Sequence, residues 1–165
     1  LPKEQHLSVV LQNSLELEGQ NIEIINGSVS GSTSAGGLNI AEWTLSENNI
    51  DLMILCLGAN DMLRGINPKE TKNNLEGIIE IAKNKNIKVI IAGMIAPTSY
   101  GFAYKKSFDK IFSDLSKKHK LQLIPFLLEG VAQNPEFNLS DGMHPNDQGT
   151  IIIGNTLKKA ILENL

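Results

Sequence analysis

The sequence predicts a three-layer α/β domain built on a parallel sheet, and three observations carry that expectation. Short apolar runs alternate with amphipathic stretches along the whole chain. The run from Asp51 to Leu57 is almost continuously apolar, as expected of a strand covered on both faces. Tyr104, Phe108, Ile111, Phe112 and Leu115 recur at i, i+4, i+7, i+8 and i+11, the clearest helical stripe in the chain.

Taken in order, Leu7, Val10, Leu11 and Leu15 form an apolar helical stripe that Gly19 can end. Ile22 to Ile25 reads as a short strand. It is followed by a loop rich in glycine and hydroxyls, running from Asn26 to Gly37, and a weaker helix around Leu38, Ala41, Trp43 and Leu45. The Asp51 strand ends in Gly58-Ala59-Asn60-Asp61. Asn67-Pro68-Lys69-Glu70 then supplies an N-cap, a proline at the first helical position and an acid in the first turn. Lys88 to Ala92 is the next strand, and Met94 to Gly101 a loop. Leu121 to Ile124 is a further strand, with a connection over Pro125 to Ala132. The last helix carries Ile153, Leu157, Ala160 and Ile161 on one face. Only four strands are visible and the chain opens on a helix, which is incomplete for a doubly wound sheet.

A length of 165 residues suits one domain, for which about 100–150 residues is usual. The net charge of −3 and the absence of a basic stripe argue against a nucleic-acid partner. One cysteine, Cys56, leaves no internal disulfide, and its apolar neighbours suggest a buried, inert thiol. No run of transmembrane length is present, so no stable membrane insertion is expected. Three dispersed histidines give no metal site, and His6 and His119 read as surface residues.

The chemistry concentrates in three polar loops. Asp141-Gly142-Met143-His144-Pro145 sets a carboxylate three residues before an imidazole. That spacing lets the acid hold one ring nitrogen and leave the other as a base. The same residues also suit a glycine turn before a helix whose first position is Pro145. Asn60, past a strand end and a glycine, offers an amide to a developing oxyanion, the plain alternative being turn formation. Asp61 beside it reads as a loop brace. Gly31 and Gly36 have the spacing of a phosphate loop, but Gly37 and Leu38 stand where lysine and a hydroxyl are needed, which speaks against nucleotide binding.

Together these stretches resemble blocks II, III and V of the SGNH (GDSL-type) hydrolases: Gly31 within Ser30 to Gly37, Gly58 to Asp61, and Asp141 to Pro145. Within that superfamily it looks like the bacterial arylesterase and thioesterase I group, which also includes lysophospholipase activity. Leu63-Arg64-Gly65, Tyr100-Gly101 with Tyr104, and Leu123 to Gly130 support it. The resemblance implies a flavodoxin-like SGNH-hydrolase fold. It also implies His144 as general base, Asp141 as its orienting partner, and Gly31 (through N–H) and Asn60 (through its side chain) as oxyanion donors. By the same likeness the protein would be a monomer without cofactor or metal, acting on small acyl esters or thioesters. Related bacterial enzymes suggest a periplasmic location.

One part of the pattern is absent. No Gly-Asp-Ser occurs, and Gly27-Ser28-Val29-Ser30-Gly31 has valine at the centre of the alternative G-x-S-x-G signature. Residues 1–5 look like the family segment that follows the nucleophile. The expectation is therefore a single SGNH-hydrolase-like domain, residues 1–165, truncated before its first strand and serine. The rival expectation is a serine-less relative that binds acyl or glycan ligands without turning them over.

Overall fold

The computed structural model describes residues 6–46 and 49–165. The reading of residues 1–5 as the segment after the nucleophile lies outside the described residues. The chain gathers into two compact units, one spanning Gly27–Phe126 and the other joining Leu127–Leu165 to the N-terminal stretch that ends at Asn26.

The first unit contains the sheet: β1 (Leu52–Leu55), β2 (Lys88–Ala92) and β3 (Gln122–Ile124), all parallel and in the order β1-β2-β3. Parallel neighbours need long crossovers, and helices supply both. The first is α4 (Pro68–Asn84), following the short α3 (Ala59–Leu63), and the second is α5 (Phe102–His119). Asn67 caps α4 by accepting from Lys69 N–H at 3.0 Å, with Pro68 at its first position, as its sequence predicts. The apolar stripe of α4 (Leu75, Ile78, Ile79, Ala82) and that of α5 (Phe108, Ile111, Phe112, Leu115) meet Val89 and Ile91 of β2 in one core. α2 (Ser34–Thr44) adds Ala41 to the same cluster. Gly93 lets the end of β2 lie against β3, donating to Ile124 O at 2.7 Å where a Cβ would stand 2.3 Å from Pro125 O.

The second unit pairs α1 (Leu7–Leu17) with α6 (Asp147–Leu162). Leu11 and Leu15 are buried on the first helix, and Ile153, Leu157 and Ile161 on the second. Gly154 of α6 faces Val10 and Leu7 of α1, where an added Cβ would be in ordinary van der Waals contact. Among the described residues no helix is long and apolar enough to cross a membrane.

Three expectations need correction. Ile22 to Ile25 forms no strand. Its backbone is paired by a side chain instead: the Gln12 amide donates to Ile22 O and accepts from Ile24 N–H, both at 2.6 Å. One glutamine on α1 thus takes the part of a neighbouring strand. Second, β1 is an edge strand among the described ones, with Leu52, Met53 and Ile54 half-buried, and Cys56 just beyond it is exposed rather than buried. Protein atoms still crowd that thiol enough to push its pKa up to about 11, so exposure does not make it a thiolate. Third, α6 begins at Asp147, capped by Asn146, whose side chain accepts from Gly149 N–H at 3.0 Å. Pro145 lies before the helix, bridged to Asn138. At this position of an antiparallel bridge no N–H is needed, which suits proline.

Candidate active site

Asp141 and His144 meet in a closed turn within the second unit. The turn stands on a short antiparallel base: Leu139 N–H donates to His144 O at 2.7 Å, and Asn146 N–H to Phe137 O at 3.0 Å. Buried Asn138 fastens the base by donating to Val131 O and Asn134 O. Gly142, at φ 70°, makes the reversal that L side chains resist. Inside the turn one oxygen of Asp141 accepts from the backbone N–H groups of Met143 (2.9 Å) and His144 (3.0 Å). Its other oxygen holds His144 Nδ1 at 2.7 Å. These bonds, the backbone ones foremost, pull the Asp141 pKa down to about 2. A carboxylate so held suits a proton on Nδ1, the tautomer in which Nε2 carries the free lone pair. The imidazole is 72% exposed, so Nε2 is not walled off within its own unit.

Gly31 and Asn60 lie in the sheet unit, where α3 meets the loop before α2. Gly31 sits at φ 73° and Gly58, before α3, at φ 124°. Asn60 donates one amide hydrogen to Ser32 O at 3.1 Å. The contact fixes the plane of the side chain and hence the direction of its second N–H. Arg64, one turn on, donates to Gly31 O at 3.0 Å. Asp61 is fully buried and accepts from Ser34 N–H at 2.7 Å, from the Ser34 hydroxyl, and from the Thr71 hydroxyl at 3.0 Å. The loop is therefore braced rather than free, and Asp61 is its brace as its position suggested. Thr33 completes the junction by capping α2, accepting from Gly36 N–H at 3.3 Å.

Of the four site residues expected from sequence, the structure joins Asp141 to His144 directly. It brings Asn60 to the loop of Gly31 at the neighbouring Ser32 O, while Gly31 O itself is held by Arg64. Arg64, Ser34 and Thr71 carried no such signal, although Arg64 stands four residues after Asn60 and so on the same helical face. His119 corrects an expectation: it is mostly buried and bonded to Glu76 at 2.6 Å rather than a plain surface residue. With Lys118, that contact lowers the Glu76 pKa, Lys118 being the larger cause.

The model of the GDSL-like Lipase/Acylhydrolase family matches residues 4–150. The chain belongs to this family. It is 33% identical over 165 residues to an arylesterase of Vibrio mimicus, covering all of this chain and 82% of that protein. It is 31% identical over 138 residues to the thioesterase 1/protease 1/lysophospholipase L1 of Escherichia coli, covering 84% of this chain and 66% of that protein. A solved structure of TesA overlays with a TM-score of 0.94 at 32% identity, covering this whole chain and 92% of that one. The fold is thus the α/β SGNH-hydrolase fold, with three parallel strands and their helices among the described residues.

Proposed function

We propose that this GDSL-family chain carries the base and oxyanion parts of a serine hydrolase of carboxylic esters or thioesters. The observation that carries the reading is the 2.7 Å contact of His144 Nδ1 with an Asp141 carboxylate already anchored by two backbone N–H groups. In the reaction a serine oxygen attacks the acyl carbonyl while His144 Nε2 removes its proton. Gly31 N–H and the unused N–H of Asn60 stabilise the tetrahedral oxyanion, each such donor lowering the barrier by about 2.7–4 kcal/mol. His144 then protonates the leaving oxygen or sulfur, and water deacylates the serine by the reverse route. Asp141 keeps the ring in one tautomer and stays ionised throughout.

The acyl chain is assigned to the segments after α3 and before α5. Tyr104 OH donates to Ile66 O at 2.9 Å and so joins them, and Leu63, Ile95 and Phe102 present exposed apolar surface there. Apolar side chains around a few fixed polar groups are the usual composition of such sites.

The nucleophile does not come from a Gly-Asp-Ser block in these 165 residues. Loss of the serine in one well-studied protease lowers kcat by about 2 × 10⁶. The 165-residue chain is therefore expected to hydrolyse p-nitrophenyl acetate no faster than its His144→Ala variant. Turnover near ordinary esterase rates that His144→Ala abolishes would show that another nucleophile serves this base.

A further inference from the structure

Asp61 is the only fully buried acidic or basic side chain among the described residues, and the proton transfers above do not touch it. Its bonds nevertheless run to the parts of the structure that carry both oxyanion donors. Ser34 opens α2, three residues after Gly31, and gives Asp61 its N–H and its hydroxyl. The hydroxyl itself accepts from Asn74 Nδ2 at 3.0 Å, which leaves its own hydrogen for the carboxylate. Thr71, on α4, donates to the same oxygen as the Ser34 hydroxyl. Asp61 stands next to Asn60 on α3. The carboxylate therefore ties the loop of Gly31 to the helical turn of Asn60, with α4 as the fixed wall. The Asn60 and Arg64 contacts to Ser32 O and Gly31 O close the same junction from the other side.

Three donors converge on the two carboxylate oxygens, and an amide of the same shape cannot receive them all. An asparagine here turns an NH₂ toward either Ser34 N–H or the two hydroxyls, setting donor against donor. We propose that Asp61 is a positioning residue: through Ser34 it sets the spacing and orientation of Gly31 N–H against the Asn60 amide. This rests on reading Gly31 and Asn60 as the oxyanion donors.

The test is nuclear magnetic resonance of the ¹⁵N-labelled 165-residue chain and its Asp61→Asn variant. In the variant, Ser34 N–H is expected to exchange with solvent about tenfold faster or more. Gly31 N–H and the Asn60 side-chain amide are expected to gain microsecond-to-millisecond exchange broadening, while Ile91 and Leu115 amides keep their line widths. A faster Ser34 exchange with Gly31 and Asn60 unmoved would reduce Asp61 to a stabilising brace and overturn the proposal. Should Asp61→Asn fail to fold, Ser34→Ala removes the loop-side hydroxyl and Thr71→Val the α4-side one. Broadening at Gly31 and Asn60, stronger in the first variant, is expected, and its absence from both overturns the proposal. These signals need no hydrolysis, so a failed clamp and a failed hydrolase assignment are separate outcomes.

Discussion

His144 owes its chemical character to the way Asp141 is spent. One carboxylate oxygen is taken by two backbone N–H groups and the other by the ring, so the acid cannot turn away without breaking three bonds. In its neutral form His144 is expected to carry its proton on Nδ1, with Nε2 bare. A ¹⁵N-edited ring spectrum reads this directly, and Asp141→Asn is expected to mix the two tautomers. The pH response follows from the same bonds. Because the folded pKa lies below the usual 3.8, the contribution of Asp141 to turn order is present above that value and lost as pH falls to about 2. The Met143 and His144 amide signals are thus expected to hold at pH 4 and to collapse between about pH 3.8 and 2. The three-residue spacing made the pair itself legible in the sequence. The backbone half of the arrangement was not, because it depends on where the Gly142 turn aims two N–H groups.

At the scale of elements, the apolar stripes announced α1, α4, α5 and α6 because burial follows helical period in each. The Ile22 stretch failed for a definite reason. Its alternation is real, with Ile22 and Ile24 half-buried and Glu23 exposed, but a strand is defined by a partner, and here the partner is the Gln12 side chain. Gln12→Ala is expected to cost about 1–3 kcal/mol in urea unfolding, because Ile24 N–H and Ile22 O lose their partner. The start of α6 shows the same dependence on contacts. Gly149 sits where a Cβ would lie 2.2 Å from Phe137 O and 3.1 Å from Pro145, the base of the Asp141 turn. Gly149→Ala is expected to destabilise the protein by about 1–3 kcal/mol, the usual cost of overpacking. It is also expected to shift the Met143 and His144 amides, although the new methyl is absent from the turn itself. Proline at 145 misled the sequence reading because the helix start is set by the Asn146 cap, one residue later.

For the molecule as a whole, the alternation of apolar runs and amphipathic stretches placed the chain among α/β domains, and three short motifs placed it in a family that the matched residues 4–150 confirm. Motifs survive in sequence because each is local. What stayed hidden is long-range: the Asp61 junction joins residues 27 positions apart, and edge exposure at Cys56 depends on which strands pair. The central proposal is that His144, Gly31 and Asn60 act with a serine of the kind carried by the family's Gly-Asp-Ser block. The direct measurement is ester and thioester hydrolysis by the 165-residue chain beside the same chain preceded by the Gly-Asp-Ser block of the Vibrio mimicus arylesterase. The account expects background rates from the first and clear turnover from the second, lost again on His144→Ala. A folded second protein that stays at background, or a first protein already active, would contradict it.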